Sequence, residues 1–235
     1  MIKTIAVLSS LFLTTAILPA QAGQRPVVVE LFTSEGCSSC PPADALLAEL
    51  ANRPEVLALS LHVDYWDGLG WKDPFSSPEA TARQQRYAQL LGVGTVYTPQ
   101  IVVDGRWEAV GSDQAAVERT LDKAQRDPAA LPVTLVFDQG QAKITAGPGD
   151  GTAGASVVLI GFDRRRTDTV ERGENAGRTL THVDVVRGIE DAGRFTDGAR
   201  EIEAPVPWQS DRLAAIVQAP GGRILGVAIA DRRPL

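Results

Sequence analysis

The sequence predicts an α/β domain over residues 23–128, followed by an all-β, sandwich-like domain over residues 129–235. In the first segment, apolar and β-branched runs alternate with segments of helical periodicity, which is typical of an α/β sheet. In the second segment, short apolar runs are separated by Gly- and Pro-containing turns without an intervening amphipathic helix, which is typical of a β-sandwich. The pattern changes near residues 127–131.

The first segment predicts seven elements in the order β-α-β-α-β-β-α. Six of them cover residues 27–32, 43–52, 56–63, 78–91, 100–103 and 106–110, and the seventh is a helix capped by Ser112. The second helix has the clearest ends, because Ser77 is a hydroxyl N-cap, Pro78 suits the first helical position and Gly92 can end the helix. The turn Asp104-Gly105 joins the last two strands as a hairpin. Parallel strands need helical crossovers, so we expect helices on both faces of a mixed sheet.

The second segment predicts six short strands. They cover residues 132–137, 142–146, 157–162, 180–186, 213–218 and 223–230. Residues 163–174 are dense in charges of both signs, so we expect a solvated loop there.

The first 22 residues are typical of a secretory signal peptide. Lys3 precedes an apolar run over residues 5–18, and residues 20–22 (Ala-Gln-Ala) have the small-x-small pattern of a cleavage site. The run is shorter than the roughly 20 residues that a membrane-spanning helix needs. We therefore expect residues 1–22 to be removed and the mature protein to be exported, periplasmic or secreted, without a membrane span.

The charge of the chain indicates which partners to expect. Lys3 is the only charged residue of the signal segment, so its removal changes the formal net charge from −6 to −7. Proteins that bind nucleic acid need a basic stripe. We therefore expect no nucleic-acid partner.

Cys37 and Cys40 are the two cysteines of the chain. A disulfide that spans only Ser38 and Ser39 constrains the unfolded chain little, so reactivity explains the pair better than stabilisation does. The pair follows a strand and opens a helix, where the helix dipole and unpaired backbone N–H groups lower the pKa of a thiol. We expect Cys37 to be the exposed nucleophile and Cys40 the more buried resolving thiol. The hydroxyls of Ser38 and Ser39 can donate hydrogen bonds to a nearby thiolate.

Two alternatives to redox chemistry stay open for this pair. One is an inert disulfide in a non-enzymatic binding module. The other is a metal carrier, which needs further ligands; Met1 is lost with the signal peptide, so His62 and His182 are the imidazole candidates. We expect neither a metal nor a cofactor, because the cysteine pair itself holds the two electrons of thiol–disulfide exchange.

The order strand, Cys-x-x-Cys, helix, and a later Thr98-Pro99 before a strand resembles the thioredoxin superfamily. The resemblance implies a thioredoxin-like fold for residues 23–128, a cis peptide bond at Pro99, and guidance of the substrate backbone by Thr98 and Pro99. Members often carry a buried acid in the strand before the motif that assists proton transfer, and the resemblance gives this supporting role to Glu30. Gly36 stands where tryptophan is usual, so the resemblance implies neither the redox potential nor the usual partners.

Longer motifs resemble an uncharacterised family of secreted, thioredoxin-like bacterial proteins, a domain of unknown function. They are VELFTSEGCSSCPPAD at residues 29–44, HVDYWD at 62–67, GWKDPF at 70–75, YTPQ at 97–100, GENAGR at 173–178 and the stretch 182–187. The resemblance covers nearly the whole mature chain and implies a fold rather than a substrate. It also suggests that Asn175, Arg178 and His182 face the interface between the two segments and orient the second segment towards the cysteines.

Trp66 and Trp71 lie in a long aromatic and acidic loop that joins a strand to a helix. Loops of this length are usually functional or covering elements. Two interpretations stay open. The loop is a lid or substrate-binding wall beside Cys37, or it packs against the second segment.

Taken together, these features predict an exported thiol–disulfide oxidoreductase. Its partners would be protein or small-molecule thiols and disulfides, with Cys37 and Cys40 as catalytic residues. The sequence leaves open whether the pair works as reductant, oxidant or isomerase, because redox potentials in such pairs vary widely.

Overall fold

The computed structural model describes residues 25–127, 131–149, 152–195 and 200–232. The predicted signal peptide, residues 1–22, lies outside the described residues. Within the described part of the chain, no helix combines the length and the apolar character needed to cross a membrane.

The first half of the chain has the predicted order of strands and helices. The elements are β1 (Val27–Thr33), α1 (Pro41–Leu50), β2 (Val56–His62), α2 (Pro78–Leu91), β3 (Gln100–Val103), β4 (Trp107–Val110) and α3 (Gln114–Gln125). Both predicted ends of α2 are confirmed, because the Ser77 side chain caps its first turn and Gly92 ends it with a φ of 69°. The cap of α3 differs by one residue, since the side chain of Asp113 rather than Ser112 accepts a hydrogen bond from the first turn.

The second half consists of seven strands in the described residues. They are β5 (Val133–Asp138), β6 (Gln141–Ala146), β7 (Ser156–Thr169), β8 (Thr179–Arg194), β9 (Glu201–Pro205), β10 (Arg212–Gln218) and β11 (Ile224–Asp231). The prediction of a loop over residues 163–174 is wrong for its first half, because β7 continues to Thr169. This part of the β7–β8 hairpin is exposed, and hydrogen-bonded threonine pairs such as Thr167 with Thr181 join its strands. Its sequence therefore lacks the alternation of apolar and polar residues that indicates a half-buried strand.

A mixed sheet of eight strands runs through both halves, in the order β11-β10-β7-β8-β2-β1-β3-β4. Strands β1 and β2 are parallel, whereas β3 runs antiparallel to β1 and β4 antiparallel to β3. Strand β8 joins the first half by parallel pairing with β2 at Ser60 and Val185. The predicted segments 23–128 and 129–235 therefore share one sheet instead of forming two separate ones. No local sequence pattern indicates a pairing between strands so distant in the chain.

The two faces of the first-half sheet carry different helices. Val29 and Leu31 of β1 point to the face that packs against α1 and α3, with Leu47 and Leu121 in the same cluster. Phe32 of β1 points to the opposite face, where it packs with residues of α2. Successive strand residues alternate between faces, so β1 residues with odd numbers face α1 and those with even numbers face α2.

The small sheet β5-β6-β9 forms a second layer. Ile144 of this sheet shares a buried cluster with Leu159, Leu213 and Leu225 of the large sheet. The second half therefore contributes to two layers, while the long β7–β8 hairpin extends towards the start of α1.

Candidate redox site

A disulfide between Cys37 and Cys40 lies directly before α1. Cys40 is the N-cap residue of this helix, and Pro41 and Pro42 occupy its first two positions. Proline at these positions costs no intrahelical hydrogen bond, which explains why the helix begins immediately after the second cysteine.

The backbone donors around the disulfide are largely occupied. The Cys40 carbonyl accepts from the N–H groups of Ala43 and Asp44, and the Cys40 N–H donates to the Cys37 carbonyl. The two prolines supply no N–H. Fewer free backbone donors therefore face the sulfurs than a helix N-terminus usually provides. Ser39 Oγ lies 3.4 Å from Cys37 Sγ, within hydrogen-bond distance, whereas Ser38 contributes its backbone N–H to a different partner, described below.

Cys37 is fully buried, with 0% of its surface exposed, as is Cys40. The expectation that Cys37 is the exposed cysteine is therefore wrong for this disulfide form. The adjacent Ser38 and Ser39 are exposed, so the loop that carries the disulfide reaches the surface.

The tip of the β7–β8 hairpin, residues 171–178, provides part of that cover. Asn175 Nδ2 donates to the backbone carbonyls of Glu35, at 2.8 Å, and Cys37, at 3.0 Å. Glu174 Oε2 accepts from the Ser38 N–H at 3.1 Å. The interaction with Ser38 lowers the pKa of Glu174. The hairpin tip thus binds the disulfide loop at Glu35, Cys37 and Ser38.

Asn175 and His182 contact the first segment as suggested, whereas the exposed Arg178 contacts Asn175 of its own hairpin tip. Arg178 Nη1 donates to Asn175 Oδ1 at 3.0 Å and orients its amide towards the disulfide loop. His182 lies 3.3 Å, Nε2 to Oε1, from Glu35.

The tryptophan loop contacts both the surroundings of the disulfide and the second half of the chain. Trp66 Nε1 donates to Thr98 Oγ1 at 2.9 Å, and Trp71 Nε1 donates to Glu35 Oε2 at 2.8 Å. Trp71 also packs closely against Gly173 of the hairpin tip. The loop therefore stands beside the disulfide loop and packs against the second half of the chain.

Thr98 and Pro99 lie near the start of α1. The Thr98–Pro99 peptide bond is cis, which confirms the expectation for Pro99. A Cβ atom placed on Gly111 would lie 3.0 Å from Ala43 Cβ and 3.2 Å from Pro99 Cβ. Glycine at this position lets the Pro99 segment approach the first turn of α1.

Glu30 does not belong to this site, so its assignment as the supporting proton carrier is wrong. As an even-numbered β1 residue it points to the α2 face, opposite α1. There its carboxylate binds the Arg83 guanidinium and accepts from Tyr87 Oη at 2.5 Å, in full burial. Glu30 therefore stabilises a buried ion pair on the other side of the sheet from Cys40.

A buried polar patch lies beneath the first turn of α1, at the carboxyl ends of β1 and β2. Its ionisable members are Glu35, Asp44, His62, Asp73 and His182. Asp44 is on α1, one turn after Cys40, and accepts from Thr33 Oγ1 at 2.9 Å. The His62 and His182 rings meet edge to face, with centroids 4.6 Å apart.

Within this patch the histidines are paired with carboxylates. Burial alone would lower the pKa of His182, but the carboxylates of Asp44 and Glu35 outweigh it and raise the pKa to about 9. His62 Nδ1 lies 2.6 Å from Asp73 Oδ2. Burial alone would raise the pKa of Asp73, but His62 and two backbone N–H groups keep it below its ordinary value.

Among the described residues, no group of three or more His, Cys, Asp and Glu side chains has the arrangement of a metal site. From the sequence, His62 was predicted only as a candidate metal ligand, His182 also as an interface residue, and Glu35, Asp44 and Asp73 were not singled out. Glu35 and Asp44 flank the cysteines in the 29–44 motif, which was the one available signal for them.

Comparison with known families identifies the class to which this chain belongs. The model of a family described as "Protein of unknown function (DUF1223)" matches residues 28–218. The chain is a member of that family. It is also similar to a protein of Agrobacterium tumefaciens solved by X-ray crystallography in a structural genomics project, with 32% sequence identity and a TM-score of 0.75 over 90% of this chain and 97% of the other. The comparison with curated proteins gave no match.

Proposed function

We propose that this protein is an exported thiol–disulfide oxidoreductase, periplasmic or secreted, whose first half has a thioredoxin-like fold. Its partners would be protein or small-molecule thiols and disulfides. The observation that carries the proposal is the position of the Cys37–Cys40 disulfide, at the start of α1 and above buried ionisable groups, beside the Thr98–Pro99 segment. A disulfide spanning two residues adds little stability, which favours a chemical role.

The exchange reaction uses the two sulfurs in turn. A substrate thiolate attacks Cys37 Sγ and forms a mixed disulfide, while the Cys37–Cys40 bond breaks and Cys40 leaves with the electron pair. A second substrate thiolate then attacks the substrate sulfur of the mixed disulfide, and Cys37 leaves as a thiolate. The substrate becomes a disulfide, and the two cysteines end as thiols. In the reverse direction, the cysteine thiols reduce a substrate disulfide to a dithiol, and the Cys37–Cys40 disulfide forms again.

The burial of Cys37 assigns a role to the hairpin tip. Attack on Cys37 Sγ requires a line of approach, so residues 171–178 or the tryptophan loop must move before exchange occurs. The Glu174–Ser38 hydrogen bond is at the exposed surface and is the contact that water can replace most readily.

The test is catalysis of insulin reduction by dithiothreitol. The wild-type protein should accelerate the reaction, and the double variant Cys37→Ser, Cys40→Ser should not. Circular dichroism of both proteins controls for folding. Equal rates for the two proteins would contradict the proposal.

The full burial of both cysteines favours one competing function, a non-enzymatic binding module with a structural disulfide. In that case the folded protein should resist reduction by dithiothreitol until it unfolds. Reduction of the disulfide in the folded state, followed by electrophoresis of alkylated protein, separates the two functions.

A further inference from the structure

We propose that His182 is a positioning residue of the redox site, which acts through Glu35 and Asp44 to set the ionisation of Cys40 once the disulfide is open. This inference rests on the proposed function and names a group from the second half of the chain that serves it.

Cys40 belongs to the buried face of α1. Cys40, Ala43, Asp44 and Leu47 are all buried and follow the spacing of one helix face. This face packs against the sheet, as Ala43 and Leu47 do in the α1-side cluster. The Cys40 sulfur therefore shares the buried side of α1 with the Asp44 carboxylate, one helical turn away.

His182 lies close to the Asp44 carboxylate. His182 Nδ1 lies 3.9 Å from Asp44 Oδ1, which is an ion-pair distance but longer than a hydrogen bond. His182 Nε2 lies on the other side of the ring, 3.3 Å from Glu35 Oε1. The imidazole thus bridges the loop before Cys37 and the helix after Cys40.

One buried ring nitrogen of His182 is left without a hydrogen bond among the described residues. Within the described part of the chain, His182 Nδ1 has no hydrogen-bond partner. The residue is only 2% exposed, so the atom is buried as well as unpaired. A buried polar atom without a partner costs about 1–3 kcal/mol, and such atoms in native proteins often have a functional reason. A thiolate that appears on the same side of α1 when the disulfide opens would give this N–H group a negative partner nearby.

The ionisable groups that face His182 come from every element packed around it. They are Glu35 from the loop after β1, Asp44 from α1, and His62 from β2 together with its partner Asp73. The Phe75 ring also contacts His182, and the Arg187 guanidinium lies over the Phe75 ring, 5.4 Å from its centroid. The His182 imidazole therefore lies between two carboxylates, with a second imidazole against its ring.

The consequence is a reciprocal coupling between His182 and Cys40. A protonated imidazole favours the Cys40 thiolate, and the thiolate in turn favours the protonated imidazole by the same free energy. During reduction of the disulfide, Cys40 is the first sulfur released. Its charge at that moment decides whether it attacks the mixed disulfide again or is protonated and lets the reaction proceed.

The coupling can be measured in the protein with its natural sequence. The chain contains two histidines, so their ring-proton NMR signals can be assigned with the single variants His62→Gln and His182→Gln. The oxidised and the reduced protein are each titrated with base. We expect the His182 titration to move to higher pH on reduction by about one pH unit, which is a tenfold change in its proton affinity. Superimposable His182 titrations in the two forms would overturn the inference.

A second measurement examines the cysteine. In the Cys37→Ser background, the ultraviolet absorbance of the thiolate reports the ionisation of Cys40. Adding His182→Gln should raise the pKa of Cys40 by about one unit, a tenfold loss of thiolate at a given pH. The matched control is His62→Gln, which removes an equally buried imidazole that pairs with Asp73 instead; its shift should be clearly smaller. No shift with His182→Gln, or equal shifts with both, would overturn the inference.

These measurements do not depend on catalysis. If insulin reduction fails while the titrations shift as expected, the proposed function is wrong and the coupling is real. If catalysis succeeds while the titrations do not shift, the proposed function stands and His182 has a structural role only.

Discussion

Asn175 Nδ2 donates to the backbone carbonyl oxygen of Cys37 at 3.0 Å, across 138 residues of sequence. The same amide group binds the Glu35 carbonyl, so a single side chain fixes the loop on the N-terminal side of the disulfide. Arg178 in turn holds the amide in place. Through these contacts, the second half of the chain covers part of the disulfide loop.

Asn175→Ala should make the disulfide easier to reach. The variant removes one donor from the carbonyls of Glu35 and Cys37, of which the Cys37 carbonyl keeps the Cys40 N–H, and this should lower the free energy of unfolding by about 1–3 kcal/mol. It also weakens the attachment of the hairpin tip, so the rate constant for reduction by dithiothreitol should rise. Stopped-flow measurement of tryptophan fluorescence, with Trp66 and Trp71 as reporters, follows the reaction.

The matched control for that variant is Asn52→Ala. Asn52 also donates from its side chain to a backbone carbonyl, that of Ala48, but on the exposed end of α1. Its removal should change neither the reduction rate nor, by more than about 0.5 kcal/mol, the stability. A reduction rate in Asn175→Ala that equals that of Asn52→Ala would mean that the hairpin tip does not limit access.

Glu30→Gln should affect stability but not the redox reaction. Removing one partner of a buried ion pair typically costs about 3–5 kcal/mol, because the Arg83 guanidinium stays buried without its carboxylate. Glu30 lies on the α2 face, so the pH dependence of disulfide reduction should match that of the wild-type protein. Chemical denaturation and reduction rates at several pH values provide the two readouts.

Glu118→Gln is the control for the cost of losing a carboxylate. Glu118 pairs with Arg53 at a more exposed position, where an ion pair contributes about 0–1 kcal/mol. If the pH dependence of disulfide reduction changes in Glu30→Gln but not in Glu118→Gln, Glu30 would take part in proton transfer after all.

The local parts of the fold were predictable because their signals are local. The cap Ser77 and the terminator Gly92 mark both ends of α2, and the hairpin turn at Asp104-Gly105 lies where the sequence places it. The exposed half of β7 was not predictable, because a solvated two-stranded ribbon has no apolar alternation. The pairing of β2 with β8 at Ser60 and Val185 was not predictable either, because nothing in the sequence of either strand indicates its distant partner.

The candidate site also has a part that was predictable from the sequence and a part that was not. Cys37 and Cys40 were predictable from a motif of four residues, whereas the contact between Glu35 and His182 spans 147 residues. The error on Glu30 has a simple physical cause. Alternation shows that Glu30 and Leu31 point to opposite faces, but the sequence does not state which face receives α1.

Thr98→Val tests the role of the tryptophan loop in substrate binding. The variant removes the acceptor of the Trp66 indole N–H, which should cost about 1–2 kcal/mol of stability and loosen the loop. If the loop guides protein substrates, KM for insulin should rise by about tenfold for a loss of 1.4 kcal/mol in binding. The rate with a small disulfide, which does not need this wall, should stay close to that of the wild-type protein.

Thr98→Ser serves as its control, because it keeps the hydroxyl acceptor and should retain the wild-type KM. Equal loss of activity towards insulin and towards the small disulfide would show that Thr98 acts on the cysteine pair rather than on substrate binding.

The stability of the oxidised protein should fall as the pH rises from about 6.5 to about 9, owing to His182. Its pKa moves from 6.5 to about 9 on folding, because Glu35 and Asp44 favour the protonated ring more than burial disfavours it. In this pH range the folded protein retains a proton that the unfolded chain has lost, so the folded state is favoured at the acidic end and loses that advantage as the pH rises through the folded pKa. The full shift corresponds to about 3 kcal/mol.

Urea denaturation of the oxidised protein at several pH values measures this dependence, and the intact disulfide ensures that the cysteines do not titrate. His182→Gln should be less stable than the wild-type protein at pH 6.5 and should show a flatter dependence, because the proton that folding retains is no longer there. Parallel curves for the two proteins between pH 6.5 and 9 would contradict the assignment. In that case the carboxylates Glu35 and Asp44 would not hold the imidazole in its charged form, and the coupling to Cys40 would lose its source of positive charge.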